Sequence, residues 1–440
     1  MTFRGVLQGF LTGFVCLTLF CVEGMRQSAA QVSADRKADL KFVVALSRHG
    51  VRSPIVNTDL YNKYSAAPWP KWDVKPSYLT PHGYELMKLF GTWDRVKFSG
   101  QGLFAATGCD DAAHISILAD SDERTRETGK ALAEGMFPGC TIEVHAQAEG
   151  KVDPLYRLAG GLHPGDSALA AAALAGRIGA DPKNLTEAFR PQLTALDNVL
   201  AGCGHAAPND KKRMSIFEVP VSLGGGTNYA SGYSGPVSLA STMAENLLLE
   251  YTTGMSDENV GWGCVDGATL RALMQLDTAG WEYGYRTPTV AHIYGSNLLD
   301  HIKKSLEQSV TGKTVAGALS KPDDRLLIIV GHDTNIVTVA GALGVSWIID
   351  GRVDDTPPGG ALMFEVWQPR DGGSPFVRME YTAQTLEQMR QSQPLTAANP
   401  PAVAPIFVPG CSGTDMSCTW EGFAEAVHGA VNPAYVSTAN

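Results

Sequence analysis

The chain has 440 residues, 44% hydrophobic and 18% charged, which suits a large globular protein of two or three domains. Its formal net charge of −10 and pI near 5.5 argue against a nucleic-acid or membrane-surface binder, since both partners are anionic. No internal repeat and no block of like charge stands out.

The N-terminus reads as an export signal. Arg4 supplies the positive start, Val6 to Val22 is almost entirely apolar or small, and Ser28-Ala29-Ala30 offers small residues for cleavage after Ala30. An uncleaved membrane anchor is the alternative, because the apolar run is long for a signal. A lipid anchor at Cys21 is disfavoured by the bulky Phe20 before it. No other stretch is apolar enough to span a bilayer. Once Cys16 and Cys21 leave with the signal, six cysteines remain: Cys109, Cys140, Cys203, Cys264, Cys411 and Cys418. An even number with no C-x-x-C pair suits disulfides in an oxidising compartment better than zinc. Fifteen connectivities are open. The expected pairing is Cys109–Cys140, Cys203–Cys264 and Cys411–Cys418, the last because it closes a short local loop.

Phe42-Val43-Val44-Ala45-Leu46 predicts a buried strand that feeds the loop Ser47-Arg48-His49-Gly50-Val51-Arg52-Ser53-Pro54. A histidine here sits between two arginines, whose planar forks match phosphate oxygens. A neutral imidazole between them can attack the phosphorus they hold. Taken alone, the octapeptide also fits a basic surface turn. The segment Trp69 to Asp73 is expected to lie over the surface. Thr80-Pro81 starts a helix, with Thr as N-cap and Pro at the first position, and Leu86, Leu89, Phe90, Trp93 and Val96 give it an apolar face. His82 in its first turn reads as structural.

His114 to Ala119 predicts the next strand, ending in Asp120-Ser-Asp-Glu-Arg124-Thr125 before a helix through Leu132 and Met136. A cation at a helix start is mildly unfavourable unless an anion joins it there. Arg124 is therefore a third phosphate-ligand candidate; the competing reading is an ion pair with Asp120 or Glu123. Thr141 to His145 gives another short strand, and the alternation of strand and helix argues for an α/β architecture. From about 153 to 286 the texture changes to Ala- and Leu-rich helical stretches (Ala168 to Ala175, Leu239 to Tyr251) and Gly-rich loops, read as a mostly helical insertion. Gly224-Gly225-Gly226 has no Lys-Ser/Thr after it and is no P-loop. Arg286-Thr287-Pro288 opens a further helix. Arg325 to Val330 is the clearest buried strand, and it ends in Gly331-His332-Asp333-Thr334-Asn335 at a helix start. Late strands are expected around Ala361 to Trp367 and Phe376 to Tyr381, and a final helix over Trp420 to Val427. Ligands of open α/β sheets sit beyond the carboxyl ends of the strands. Three such ends carry Arg48/His49/Arg52, Arg124 and His332/Asp333.

With these residues in place, the chain resembles the histidine acid phosphatases, the acid branch of the histidine phosphatase superfamily. The family motif R-H-G-x-R-x-P matches Arg48 to Pro54, and its H-D motif matches His332-Asp333. Asp122 to Arg126, Thr356-Pro-Pro-Gly-Gly360 and Gln384 to Arg390 look like the exported bacterial phytase and glucose-1-phosphatase group. The resemblance implies a phosphoglycerate-mutase-like mixed sheet flanked by helices, formed by 31–152 and 287–440, with a mostly α-helical domain, 153–286, inserted after a signal peptide, 1–30. It implies a periplasmic acid phosphomonoesterase with His49 as the nucleophile that becomes phosphohistidine. Arg48, Arg52, Arg124 and His332 would hold the phosphoryl oxygens, and Asp333 would protonate the leaving alcohol. The arginines neutralise the phosphate, so no metal and no cofactor is expected. The partners expected are a small phosphate ester, no nucleic acid and no membrane, with a monomer as the default.

Rival readings are weaker. A phosphoglycerate-mutase-like enzyme fits the export signal and the disulfides poorly. A binding protein without turnover would not need both His49 and Asp333. A serine hydrolase lacks G-x-S-x-G. Phytases of this group often carry Thr-Lys where Ile55-Val56 stand here, which brings the pocket nearer the glucose-1-phosphatase pattern. Gly50 and Thr334 look like the phytase side, and Lys63, Lys71 or Lys75 would have to replace the missing charge. Phytase is the first expectation; glucose-1-phosphatase or a broad acid phosphatase is the alternative.

Overall fold

The computed structural model describes residues 37–158, 161–203, 213–224 and 232–437. The expected export signal, 1–30, lies outside the described residues. Among those described, no helix is long and apolar enough to cross a membrane.

In chain order the elements are β1 (Ala38–Arg48), α1 (Pro81–Gly100), β2 (Ile115–Ala119), α2 (Glu123–Met136) and β3 (Val144–Ala146), then α3 (Asp166–Ile178), α4 (Lys183–Ala188) and α5 (Arg190–Leu200). A ribbon of β4 (Ser222–Leu223) and β5 (Tyr233–Ser234) precedes the long helices α6 (Pro236–Thr252), α7 (Gly267–Gly284) and α8 (Pro288–Thr311). Next come β6 (Leu326–Gly331), α9 (Asp333–Leu343) and a second ribbon of β7 (Ile348–Ile349) and β8 (Arg352–Val353). The chain closes with β9 (Ala361–Pro369), β10 (Phe376–Ala383), α10 (Leu386–Arg390), β11 (Ala402–Ile406), β12 (Ser417–Thr419) and α11 (Trp420–Ala430).

The main sheet runs β11-β10-β9-β1-β6-β2-β3, with β12 also on β10. β1, β6, β2 and β3 are mutually parallel, while β9, β10 and β11 join antiparallel. Alternate residues explain the unbroken apolar runs of β1 and β6. Val43, Ala45, Ile328 and Val330 pack with Met87, Phe90 and Leu132, and Phe42, Val44, Leu46 and Ile329 pack with Leu298, Ile302 and Val339. Strands buried on both faces have no room for a polar face. Register then fixes the functional edge: Arg48 lies opposite Gly331, and Ala119 opposite Val330. The loops leaving β1, β6 and β2 therefore start side by side.

A separate apolar cluster joins α5, α6 and α7 through Leu196, Met243, Leu247 and Met274, and takes in Val51 and Trp69 from the loop after β1. α6 is buried on nearly every side, and its carboxylates Glu245 and Glu250 are buried with it. The three disulfides pair as expected: Cys109–Cys140, Cys203–Cys264 and Cys411–Cys418.

Three local expectations are corrected. Val96 is 51% exposed rather than on the packed face of α1. That face is centred on Gly83, Met87, Gly91 and Phe98, because α1 and α2 meet backbone to backbone: a Cβ at Gly91 would fall 2.3 Å from the Leu132 carbonyl oxygen. Trp69 does not lie over the surface. It is 3% exposed and stands edge-on to Trp262, ring centres 5.0 Å apart, because the helical layer covers it. The strand expected over Thr141 to His145 pairs only at Val144–Ala146.

Candidate active site

Arg48 ends β1 with its side chain wholly buried. Its guanidinium donates to the Thr356 carbonyl at 2.6 Å and pairs with Asp333 at 2.8 Å and with Glu245. Arg52 meets the same Glu245 oxygen at 2.8 Å and donates to the Ser53 carbonyl at 3.1 Å. Between them His49 is pinned by its backbone, its N–H donating to the Gly331 carbonyl at 3.0 Å and its carbonyl accepting from Gly359 at 2.9 Å. The imidazole Nδ1 lies 2.8 Å from the Gly50 carbonyl. A carbonyl only accepts, so Nδ1 carries the hydrogen and Nε2 keeps its lone pair. Gly50 faces α1: a Cβ there would fall 2.7 Å from Met87 Cγ and 3.1 Å from the Gly83 carbonyl oxygen. Close approach of the helix, rather than of a substrate, is what this glycine permits.

The β2 loop brings Arg124 to the same place. It pairs with Asp122 at 2.8 Å, donates to the Ser77 hydroxyl, and lies 3.3 Å from His332 Nδ1. Neither expected partner, Asp120 or Glu123, holds it. Asp120 faces His332 and Glu123 accepts the Leu79 N–H at 2.9 Å. Asp122 stands at the N-cap of α2 yet makes no side-chain cap bond, and its carboxylate instead meets Arg124 and, at 2.6 Å, Arg157. From β6, the His332 N–H is capped by Asn335 Oδ1 at 2.9 Å, and Asp333 opens α9, accepting the Thr334 N–H at 2.8 Å. The His49 and His332 ring centres are 5.6 Å apart.

Burial sets the protonation states. It pushes the His49 pKa well below the usual histidine value, and Arg124, Arg52 and Arg48 push the same way. Burial would raise Asp333, but Arg48, Arg52 and His332 outweigh it and hold the carboxyl below the usual value. Arg124 is lowered to about 10, by burial first and then by Arg52, so it stays charged in acid. Arg48, Arg52 and Arg124 each keep a buried Nε–H with no hydrogen-bond partner among the described residues. Such a cluster of cations suits a multiply charged anion.

All six residues singled out in the sequence, Arg48, His49, Arg52, Arg124, His332 and Asp333, thus meet at one edge. Glu245 was missed. It comes from the middle of α6, and its one sequence signal is a carboxylate within a largely apolar helix. Asp277 of α7, fully buried, bonds the Ser241 hydroxyl at 3.1 Å and the Trp281 N–H at 3.3 Å; burial, then Glu245 and Asp355, raise it well above the usual value. Asp120, Asp122 and His332 place ligand atoms within 4.8 Å of one another, the one such cluster among the described residues. Arg157 already bridges both carboxylates, so a guanidinium takes the place a cation would have.

The profile of the histidine phosphatase superfamily (branch 2) matches residues 39–382. The chain is a branch 2 histidine phosphatase. Phytase AppA of Escherichia coli (strain K12) is 35% identical to it over 98% of this chain and 99% of the relative. Glucose-1-phosphatase of Providencia rettgeri is 28% identical, over 90% and 93%. Among solved structures, Hafnia alvei phytase in complex with tartrate superimposes with a TM-score of 0.82 at 32% identity, covering 91% of this histidine phosphatase and 99% of that chain. The same phytase in complex with myo-inositol hexakis sulphate gives 0.80. This histidine phosphatase is accordingly a phosphoric monoester hydrolase with the mixed sheet of that family.

Proposed function

We propose that the protein is an exported, periplasmic acid phosphomonoesterase that works through a phosphohistidine at His49, with phytate as its first candidate substrate. The observation that carries this reading is the meeting of a neutral, lone-pair-bearing His49 with three buried arginines and the His332–Asp333 pair. Resemblance to phytases in sequence and fold supports the substrate. Residues 153–286 are read as one inserted unit.

Phosphoryl transfer is mostly positioning and charge stabilisation. Arg48, Arg52, Arg124 and His332 hold the phosphoryl oxygens. Incoming phosphate competes with Glu245 and Asp333 for Arg48 and Arg52, and its charge raises the Asp333 pKa so that this carboxyl holds a proton. His49 Nε2 attacks phosphorus while the departing alkoxide takes the proton from Asp333. The Asp333 carboxylate then accepts a proton from water as that water attacks the phosphohistidine, which releases phosphate and restores both residues. The basic limb of the pH profile follows Asp333 in the complex, so the optimum on alkyl phosphates is acidic.

A second reading, glucose 1-phosphate, is favoured by the rim. Ile55 and Val56 are 50% and 36% exposed. A cavity of about 300 Å³ is lined by Ser53, Pro54, Val56, Trp69 and Trp72, with Lys71 its one cation among the described residues. Lys63 and Lys75 instead stand over the rings of Tyr64 and Tyr78. Steady-state kinetics with phytate and glucose 1-phosphate at about pH 4 to 6, with His49→Ala as control, separate the two. A higher kcat/KM on phytate supports the first reading and the reverse supports the second. Turnover of neither above the His49→Ala background removes both.

A further inference from the structure

His332 has a partner of its own. Asp120, the first residue after β2, is wholly buried, and its Oδ2 lies 2.6 Å from His332 Nε2. The other oxygen accepts the Ser121 N–H at 2.7 Å, the Asp120 backbone carbonyl accepts the Thr125 hydroxyl at 2.7 Å, and Arg157 Nε–H donates to Oδ2 at 3.2 Å. An ionised carboxylate only accepts, so His332 Nε2 must carry a hydrogen. On the far side of the ring Nδ1 lies 3.3 Å from an Arg124 nitrogen. A guanidinium only donates, so Nδ1 must present a lone pair. Two independent contacts fix the same tautomer.

That tautomer is wrong for holding phosphate. When Arg124 turns its N–H groups to an incoming phosphoryl oxygen, the Nδ1 lone pair faces an anion. The contact becomes attractive only when Nδ1 gains a proton, from water or from a monoanionic ester. We infer that Asp120 is a positioning residue for His332: it orients the ring with Nε2–H inward and stabilises the imidazolium that forms as phosphate binds. This rests on the proposed phosphate-binding role of His332. The groups facing the ring are Asp120, Asp122, Arg124, Arg157, Asp333 and His49. Burial lowers the His332 pKa and Arg124 adds to this, while Asp120 opposes both, so removing the Asp120 charge moves the ring further from protonation.

The inference is tested by inorganic-phosphate inhibition of Asp120→Asn across pH, beside wild type. Loss of the carboxylate that orients a metal-bound histidine costs about 10- to 100-fold in affinity, and the same geometry sets the scale here. The phosphate Ki and KM should rise by that order, the Ki–pH curve should weaken at lower pH than in wild type, and kcat should change less than KM. A Ki–pH curve that coincides with wild type overturns the inference. A second measurement uses the wild-type chain alone: ¹⁵N-histidine NMR, with the His332 signals identified through His332→Gln. The expected spectrum is neutral and Nε2-protonated without phosphate, and imidazolium when inorganic phosphate saturates the site at the same pH. An Nδ1–H tautomer, or a ring still neutral at saturation, overturns it even where Asp120→Asn fails to fold. Wild-type turnover by His49→Ala would instead remove the reading of the whole site.

Discussion

Asp333 begins paired with Arg48 and must hold a proton only once phosphate arrives. We therefore predict that Asp333→Asn loses about 10²- to 10⁴-fold in kcat on alkyl phosphates. The loss should be much smaller on p-nitrophenyl phosphate, whose leaving group departs without a proton; equal losses on both would rule out Asp333 as the acid. Glu245 bridges Arg48 and Arg52 in the buried site. Glu245→Gln should lower the phosphate Ki several-fold, since the anion no longer competes with a carboxylate. It should also lower Tm, because buried Arg52 loses the carboxylate it pairs with and Arg48 keeps only Asp333; a raised Ki would mean that orientation outweighs competition. The two motifs were legible because a basic triplet at a strand end has no packing role. Glu245 was not legible, since a carboxylate inside a helix does not say which cations it will meet.

α1 and α2 owe their contact to glycines. A Cβ at Gly91 would fall 2.3 Å from the Leu132 carbonyl oxygen, and one at Gly135 1.9 Å from that of Lys88. Backbone cannot give way as a side chain can, so Gly91→Ala should cost about 1–3 kcal/mol in urea unfolding. α2 also carries Arg124, so the same change should raise KM; an unaltered stability would show that the helices part freely. The helix starts at Thr80-Pro81 and Thr287-Pro288 were readable, because proline at the first position acts within one turn; the Thr80 hydroxyl also caps the Gly83 N–H, whereas Thr287 makes no side-chain cap. Leu86 and Phe90 were read correctly onto the buried face of α1, but its centre was not, since that depends on which glycines meet α2.

Stability across pH reflects buried carboxyls throughout the molecule. Burial raises Glu250 to about 8, with the Gly261 N–H opposing it, and Asp94 to about 7, with Lys97 opposing it. Both folded values lie above the unfolded ones, so these groups favour the fold fully below about pH 4 and lose that contribution as pH climbs through 7 and 8. Asp120, Asp197 and Asp350 are lowered instead: burial opposes the shift, and bonds to His332, Arg213 and the Leu386 N–H outweigh it. Their contribution is present above the unfolded value and lost as pH falls through the folded one. The protein should be most stable in mild acid. Glu250→Gln should flatten the decline between about pH 6 and pH 8, where each unit costs up to about 1.4 kcal/mol per group. Urea midpoints at the two pH values check this, and an unchanged difference would refute it. Chelation should leave activity intact, since arginines neutralise the phosphate; loss of turnover in EDTA would contradict that account.

Residue patterns alone were enough for the central strands β1, β2, β6, β9 and β10, the capped start of α1 and the residue types of the site, because period, caps and strand-end chemistry act over a few neighbouring residues; β11, β12 and the two short ribbons carry no such local signal. Arg48, His49, Arg124, His332 and Asp333 were all visible in this way. Packing alone put β6 between β1 and β2, which sets three loops far apart in the chain around one anion site. It also decided that α6 sends Glu245 to the arginines and that Asp120 turns to His332 rather than to Arg124. Such pairings depend on which buried charges the packed sheet and helices leave within reach of one another, and a buried charge must be paired.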